Sequence, residues 1–479
     1  MLKKLIFIIV MVVLLAGLGI TLVLLRRETP AATASSFPEL APLDYLINYR
    51  DEEFAGLASV TIHNEKGDFS VLPGDPPSIP GWESLIPSTY PLTRILDICA
   101  GLISQGLVVE DAEDLSIYGL DQGRAQVEIK TNSGDGTTLY VGNEAPDNNS
   151  VYVRLGESPQ VYRAGKWEID NLLQGIFDFM DKEVSPQLAS DDSGSFDFSE
   201  IALGGTVRPD GPIRVVPVGE EESSSKSRIS SLYRIKSPVE MSLNLDRGLP
   251  ILQAIPGLQA DSVIARVYGP EDLARYGLDK PYSTAAISGT LGQGLGGFAL
   301  RASAPDANGN VYIYREASEL VYQVAASNLT WLSASWWDLM DKMIILPFID
   351  QVARVEVISP QRQVAFHLSG EEDELKVESG GTVLNTDDFR KYYQTLLSAV
   401  YDEYGEERIP AGATPLLEIV YYYRENLTPD RVSFYATNSR RVLTSLNGRR
   451  PFYTYSAYVE WVLNDLDKIL RGNKVQSYL

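Results

Sequence analysis

Cysteine and histidine are nearly absent from this chain: among 479 residues there is one cysteine, Cys99, and two histidines, His63 and His367. One thiol cannot form an intramolecular disulfide, and three such ligands do not make a zinc site of the usual Cys/His kind. Basic residues are also short, 41 against 64 acidic ones, for a formal charge of -23. A surface of that sign repels phosphate backbones, so nucleic acid is not expected as a partner. Cofactors and metals are not expected either. What is present is an ordinary globular share of apolar residues, 44%, in a length that suggests about three folded units.

One apolar run breaks the globular pattern. Leu5 to Leu25, which includes Phe7, Val13 and Leu18, carries no charge and is bracketed by Lys3-Lys4 and Arg26-Arg27. At about 1.5 Å per residue it reaches roughly 31 Å, enough to span a bilayer once. A transmembrane anchor over 1–27 is therefore expected. The competing reading is a cleaved signal peptide, for which Ala32-Thr33-Ala34 imitates a cleavage site. Flanking charges nearly cancel, but long downstream domains are exported largely regardless of charge. This places the bulk of the chain outside the cytoplasm, after a tether over 28–50.

The chain then repeats itself. Glu113-Asp114-Leu115-Ser116-Ile117-Tyr118-Gly119-Leu120-Asp121 returns as Glu271-Asp272-Leu273-Ala274-Arg275-Tyr276-Gly277-Leu278-Asp279, identical at seven of nine positions. Ala145-Pro146-Asp147, Val151-Tyr152 and Val161-Tyr162 return in order as Ala304-Pro305-Asp306, Val311-Tyr312 and Val321-Tyr322, and Met180-Asp181-Lys182 as Met340-Asp341-Lys342. Strand-like openings at Phe54, Phe198 and Phe348 suggest three units, over 51–184, 196–345 and 346–472, the third degenerate because it lacks the Tyr-Gly-Leu-Asp element. Within a unit, alternating strands, a helix carrying Leu92, Ile95, Leu96 and Cys99 inward, a meander of short strands and a last helix over 166–182 predict an α+β fold of antiparallel sheet with helices on one face. The Tyr-Gly-Leu-Asp element reads as a structural corner, with Gly at positive φ.

With these motifs assembled, the chain resembles the bacterial domain-of-unknown-function family 4340. The resemblance rests on the Tyr-Gly-Leu-Asp element, the Gly142 to Pro146 turn, the Val-Tyr strands and the Asp-Lys ends. It implies a membrane-anchored accessory subunit working beside an ABC transporter permease and auxiliary membrane subunits of the gliding-motility type, with no catalytic residues to carry over.

Other motifs have plainer readings. Gly292-Gln293-Gly294-Leu295-Gly296-Gly297 fits a dinucleotide fingerprint in letters only, since it lies between two meander strands. Asp306 to Asn310 imitates a calcium loop but has Ala317 where a bidentate Glu is required. Asp387-Asp388 would cap a helix from Phe389. Twelve of 26 tyrosines follow residue 390. Tyr421, Tyr423, Tyr455 and Tyr458 could form an interface, which gives a second reading as an envelope glycan or peptide binding module, or could be amphipathic core-edge residues.

Overall fold

The computed structural model describes residues 44–50, 56–188, 198–218, 232–291, 294–370, 372–405, 407–424, 428–449 and 451–475. The anchor residues Leu5, Phe7, Val13, Leu18 and Leu25 lie outside these. Among the described residues no helix is long and apolar enough to cross a membrane.

Three antiparallel sheets in tandem build the chain, which divides into two compact units, one ending at Phe179 and one starting at Met180. The first sheet contains β1 (Leu57–Asn64), β2 (Gly67–Val71), β3 (Ser104–Val109), β4 (Ala125–Thr131), β5 (Gly136–Glu144), β6 (Ser150–Leu155) and β7 (Val161–Gly165), in the order β2-β1-β4-β5-β6-β7-β3. Alternation sends Val60, Ile62, Val127, Ile129, Leu139 and Val141 inward, each at most 1% exposed. Helix α1 (Tyr90–Ala100) lays Leu92, Ile95, Leu96 and Cys99 into the same core, and each such aliphatic side chain contributes about 1.5–3 kcal/mol by burial. The last helix is shorter than its pattern predicts. As α2 (Lys166–Leu172) it stops where the Asn64 side-chain amide donates to the carbonyls of Leu172 and Gln174. Gly175 then lies so close to Lys66 that a Cβ would sit 2.7 Å from its side chain.

The second sheet keeps this order and adds to one edge. It contains β8 (Phe198–Gly204), β9 (Ile213–Pro217), β10 (Tyr233–Ser237), β11 (Met241–Ser242), β12 (Ser262–Arg266), β13 (Ser283–Leu291), β14 (Gly294–Ala302), β15 (Asn310–Arg315) and β16 (Leu320–Ala325), ordered β11-β10-β9-β8-β13-β14-β15-β16-β12. Short helices α3 (Gly248–Gln253), α4 (Pro270–Arg275) and α5 (Trp336–Leu339) accompany it. A buried cation fastens its end: Arg208 donates to the carbonyls of Gly204, Trp331 and Ala334 and to the Ser283 hydroxyl. Burial pushes that guanidinium down to about 10.

The third sheet is the same topology with one strand missing. It contains β17 (Val352–Ser359), β18 (Arg362–Ser369), β19 (Lys376–Ser379), β20 (Thr382–Val383), β21 (Leu417–Tyr423), β22 (Asp430–Ala436), β23 (Arg441–Leu446) and β24 (Phe452–Tyr455), ordered β20-β19-β18-β17-β21-β22-β23-β24. Strands β18-β17-β21-β22-β23-β24 correspond to β2-β1-β4-β5-β6-β7. Val355 stands opposite both Phe366 and Tyr421, and Phe434 opposite Leu417, so these side chains share one face. Phe389 and Tyr392 of α6 (Thr386–Leu397) pack on Phe366 there, and Tyr458 of α7 (Ala457–Leu470) packs on Phe434. Helix α6 is capped by Asn385, whose side chain accepts the Asp388 amide at 2.9 Å. Asp387 and Asp388 therefore lie inside its first turn, where they favour the helix dipole, and are not its cap.

A feature without a hydrophobic signature completes the sheets. Each receives a segment from the chain that precedes it. Ser104 donates its amide to Asp44, Ala260 to Lys182 and Tyr401 to Lys342, at 2.7 to 2.8 Å. Around these bonds, Leu46 and Ile47 donate to Leu102, just as Val184 and Ser185 donate to Leu258. Residues 44–49 therefore belong to the first folded unit and not to a tether reaching 50, and Lys182 onward belongs with the second sheet. Between the second and third sheets three isolated bridges form: Leu243 with Met340, Met343 with Val400, and Glu403 with Tyr453. Main-chain hydrogen bonds thus link β11 to β24 through the joining segment.

Candidate functional site

The corner element is one turn built twice. Asp114 accepts the Ser116 amide, the chain makes a 3₁₀ turn over Leu115–Tyr118, and Gly119 turns back at φ 67°. Gly119 and Leu120 donate to Ser116 and Leu115, as Gly277 (φ 70°) and Leu278 donate to Ala274 and Leu273. A backbone in that region suits glycine, because a side chain there crowds the following carbonyl. Leu120 and Leu278 are at most 1% exposed. Tyr118 meets Tyr152 edge-on with ring centroids 5.0 Å apart, and Tyr276 meets Tyr312 at 5.2 Å. Asp121 and Asp279 are exposed. The motif is therefore part of the framework.

Between α6 and β21 the third sheet carries Tyr404-Gly405, where Gly405 does not take positive φ. Here the tyrosine serves a different contact, packing on Trp336 and Trp337 with centroids 4.9 and 5.3 Å away. The Lys342 ammonium lies 3.1 Å over the Trp337 ring and donates to the Trp337 carbonyl. Burial pushes it down to about 8, although Asp338 and Asp341 favour its charge.

The remaining motif residues are structural. The glycine-rich stretch crosses the β13–β14 hairpin, where Leu291 pairs with Gly294, with Gly292 and Gln293 outside the described residues. No strand-to-helix turn is there to hold a pyrophosphate. Asp306 folds a turn by accepting the amides of Asn308 and Asn310, which holds its carboxyl below the usual range; Asp147 does the same chiefly through Ser150. Among the described residues no group of acidic, Cys or His side chains could hold a metal ion. His63 lies 3.1 Å from Asp68, His367 is exposed on β18, and burial raises the Cys99 thiol well above its usual range.

Three of the four tyrosines considered as an interface are interior. Tyr421 is 0% exposed, Tyr458 2% and Tyr423 6%, against 54% for Tyr455. Tyr421 and Tyr458 both donate to the Leu396 carbonyl, and Tyr423 donates to Asp430. They hold α6 and α7 on the sheet and present no platform to a ligand, because strand β21 is covered on the side they occupy.

Among the described residues one cavity has both apolar and polar walls suited to a ligand. A cavity of about 490 Å³ lies over the seam between the second and third sheets. Met241, Met343, Ile344, Ile345 and Phe452 give it apolar walls, and Arg234, Glu240, Asp341, Tyr401, Asp430 and Arg449 give it polar ones. Arg234 is held by Glu240 at 3.1 Å, Asp341 accepts the Met343 amide, and Asp430 accepts from Tyr423 and Asn447 at 2.7 Å each. Arg449 follows a tight turn in which Asn447 and Gly448 take φ 54° and 71°. Tyr401 and Arg449 were not singled out by any sequence pattern; the Asn-Gly dipeptide was the one legible signal, and it marks the hairpin, not the cavity.

The domain-of-unknown-function model DUF4340 matches residues 88–281 and 233–415. The two matches overlap, cover well over half of the chain, and each crosses a joint between consecutive sheets. The chain matches no curated protein and no solved structure. By its sequence and by the repetition that the sheets display, it belongs to the DUF4340 family.

Proposed function

We propose that this protein is a non-catalytic, single-span accessory subunit of an ABC-transporter-type complex in the bacterial cytoplasmic membrane. Its three units stand on the extracytoplasmic side and act through protein–protein contacts. The apolar run Leu5 to Leu25 is long enough for one crossing. The observation that carries the reading is that the residues the units share serve the fold: the glycines turn the corners, the leucines fill the cores and the Asp-Lys ends join one sheet to the next. A scaffold of repeated units, with main-chain bonds between the second and third sheets, suits the transmission of position between partners, and not the assembly of a catalytic constellation.

Isolation of the full chain from its own membranes in mild detergent, after brief cross-linking, tests this. Recovery with a permease and an ATPase supports it. Recovery of the chain alone, or release of the chain from membranes by carbonate washing, contradicts it.

A further inference from the structure

We propose that the cavity between the second and third sheets binds a small apolar monocarboxylate. The carboxylate is held by Arg449 and the Tyr401 hydroxyl, and the apolar body rests against Met241, Met343 and Phe452. This goes beyond the accessory role and does not depend on it.

At about 490 Å³ the cavity falls within the roughly 300–1,000 Å³ of small-molecule sites. The polar groups around it separate into two kinds. Its carboxylates already have donors inside the fold: Glu240 has Arg234, Asp341 has the Met343 amide, and Asp430 has Tyr423 and Asn447. Arg449 makes no ion pair among the described residues. Tyr401 is only 4% exposed and lines the cavity, yet its hydroxyl has no hydrogen-bond partner among the described residues. That hydroxyl is therefore free to donate to an acceptor bound in the cavity. Arg449 lines the same cavity, so a hydroxyl donor and a guanidinium face one space, an arrangement that suits a carboxylate.

The ligand's charge and body follow from the walls. Three acidic side chains around the rim disfavour a dianion such as a phosphate monoester. A methionine- and isoleucine-lined wall closed by the Phe452 ring, 4.7 Å from the Tyr401 ring, favours an aromatic or branched apolar group. The backbones of both residues are held: that of Tyr401 by its bond to Lys342 and that of Arg449 by the Asn447-Gly448 turn.

Calorimetric titration of the full chain in mild detergent with 4-phenylbutyrate, and with the uncharged 4-phenylbutanol, tests the assignment. The carboxylate is expected to bind at least about tenfold more tightly than the alcohol, as a charge-assisted pair implies. Arg449→Gln, at an exposed position, should weaken phenylbutyrate by about tenfold and erase the preference over the alcohol, with an unchanged melting temperature. Tyr401→Phe should weaken it severalfold and keep part of the preference. Absence of saturable binding, equal affinity for acid and alcohol, or an Arg449→Gln variant that binds as the wild type does would each overturn the proposal. Arg449→Gln decides the matter if Tyr401→Phe does not fold.

Discussion

The Tyr401 amide donates to the Lys342 carbonyl at 2.8 Å, and that bond has two counterparts, Ala260 to Lys182 and Ser104 to Asp44. The repeating unit is therefore offset from the one that motifs suggest. A sheet is completed by the chain that leads into it, so the Asp-Lys end of one copy is also the opening segment of the next. Hydrogen bonds that close a sheet edge in this way satisfy donors and acceptors that would otherwise be left to solvent or to another chain.

The two corner glycines should differ in their tolerance of a methyl group. Both take positive φ, which costs an alanine about 1–2 kcal/mol. At Gly277 the nearest atom to an added Cβ is 3.9 Å away, so Gly277→Ala should lose that amount and no more. At Gly119 the Cβ would meet the Asn143 side chain at 2.5 Å, so Gly119→Ala should lose more. Urea unfolding of both variants measures this, and a smaller loss at Gly119 would count against the corner geometry.

The start of α6 offers a test of which residue caps it. Asn385→Ala should destabilise by about 1 kcal/mol, since it removes the acceptor of the Asp388 amide. Asp387→Ala should cost only a few tenths, the size of an exposed dipole interaction. Thermal melts of the two variants rank them, and the reverse ranking would restore the aspartates as the cap.

Lys342 should give the second unit a particular pH dependence. Burial lowers its ammonium from 10.5 to about 8, so the folded chain releases this proton before the unfolded chain does. Stability relative to a Lys342→Met variant should be flat below about pH 8 and rise in favour of the wild type between there and about pH 10.5. Unfolding of both proteins by urea at about pH 7 and about pH 10 measures the change. A difference that stays constant or moves toward the variant would show that Lys342 is not desolvated against Trp337.

Much of the fold could be read from the residues because it depends on local patterns. Alternation marked the strands, three- and four-residue spacing marked α1, and near-identity of nine-residue segments marked the first two copies. The third copy was harder to see: it lacks the Tyr-Gly-Leu-Asp corner, and its Tyr404 packs on Trp336 and Trp337 instead. The short end of α2 depended on Asn64, more than a hundred residues away. Tyr421 and Tyr458 gave the same period-two and helical signals whether exposed or interior, and only the placement of α6 and α7 decided between them. The joining segments 44–49 and 182–186 have no periodicity, since their hydrogen bonds are made by backbone alone. Arg449 and Tyr401 line one cavity from a hairpin and a joint far apart in the chain, so no spacing along the chain announces them.

Backbone pairing across the joints can be read directly by amide hydrogen exchange on the full chain. Ser104, Ala260 and Tyr401 should exchange slowly and at similar rates, within the range of neighbouring strand amides in β7, β16 and β24, because each donates across a joint. Exchange of these three at the rate of unprotected loop amides would contradict the account, since the leading segments would then not be paired with the sheets they precede.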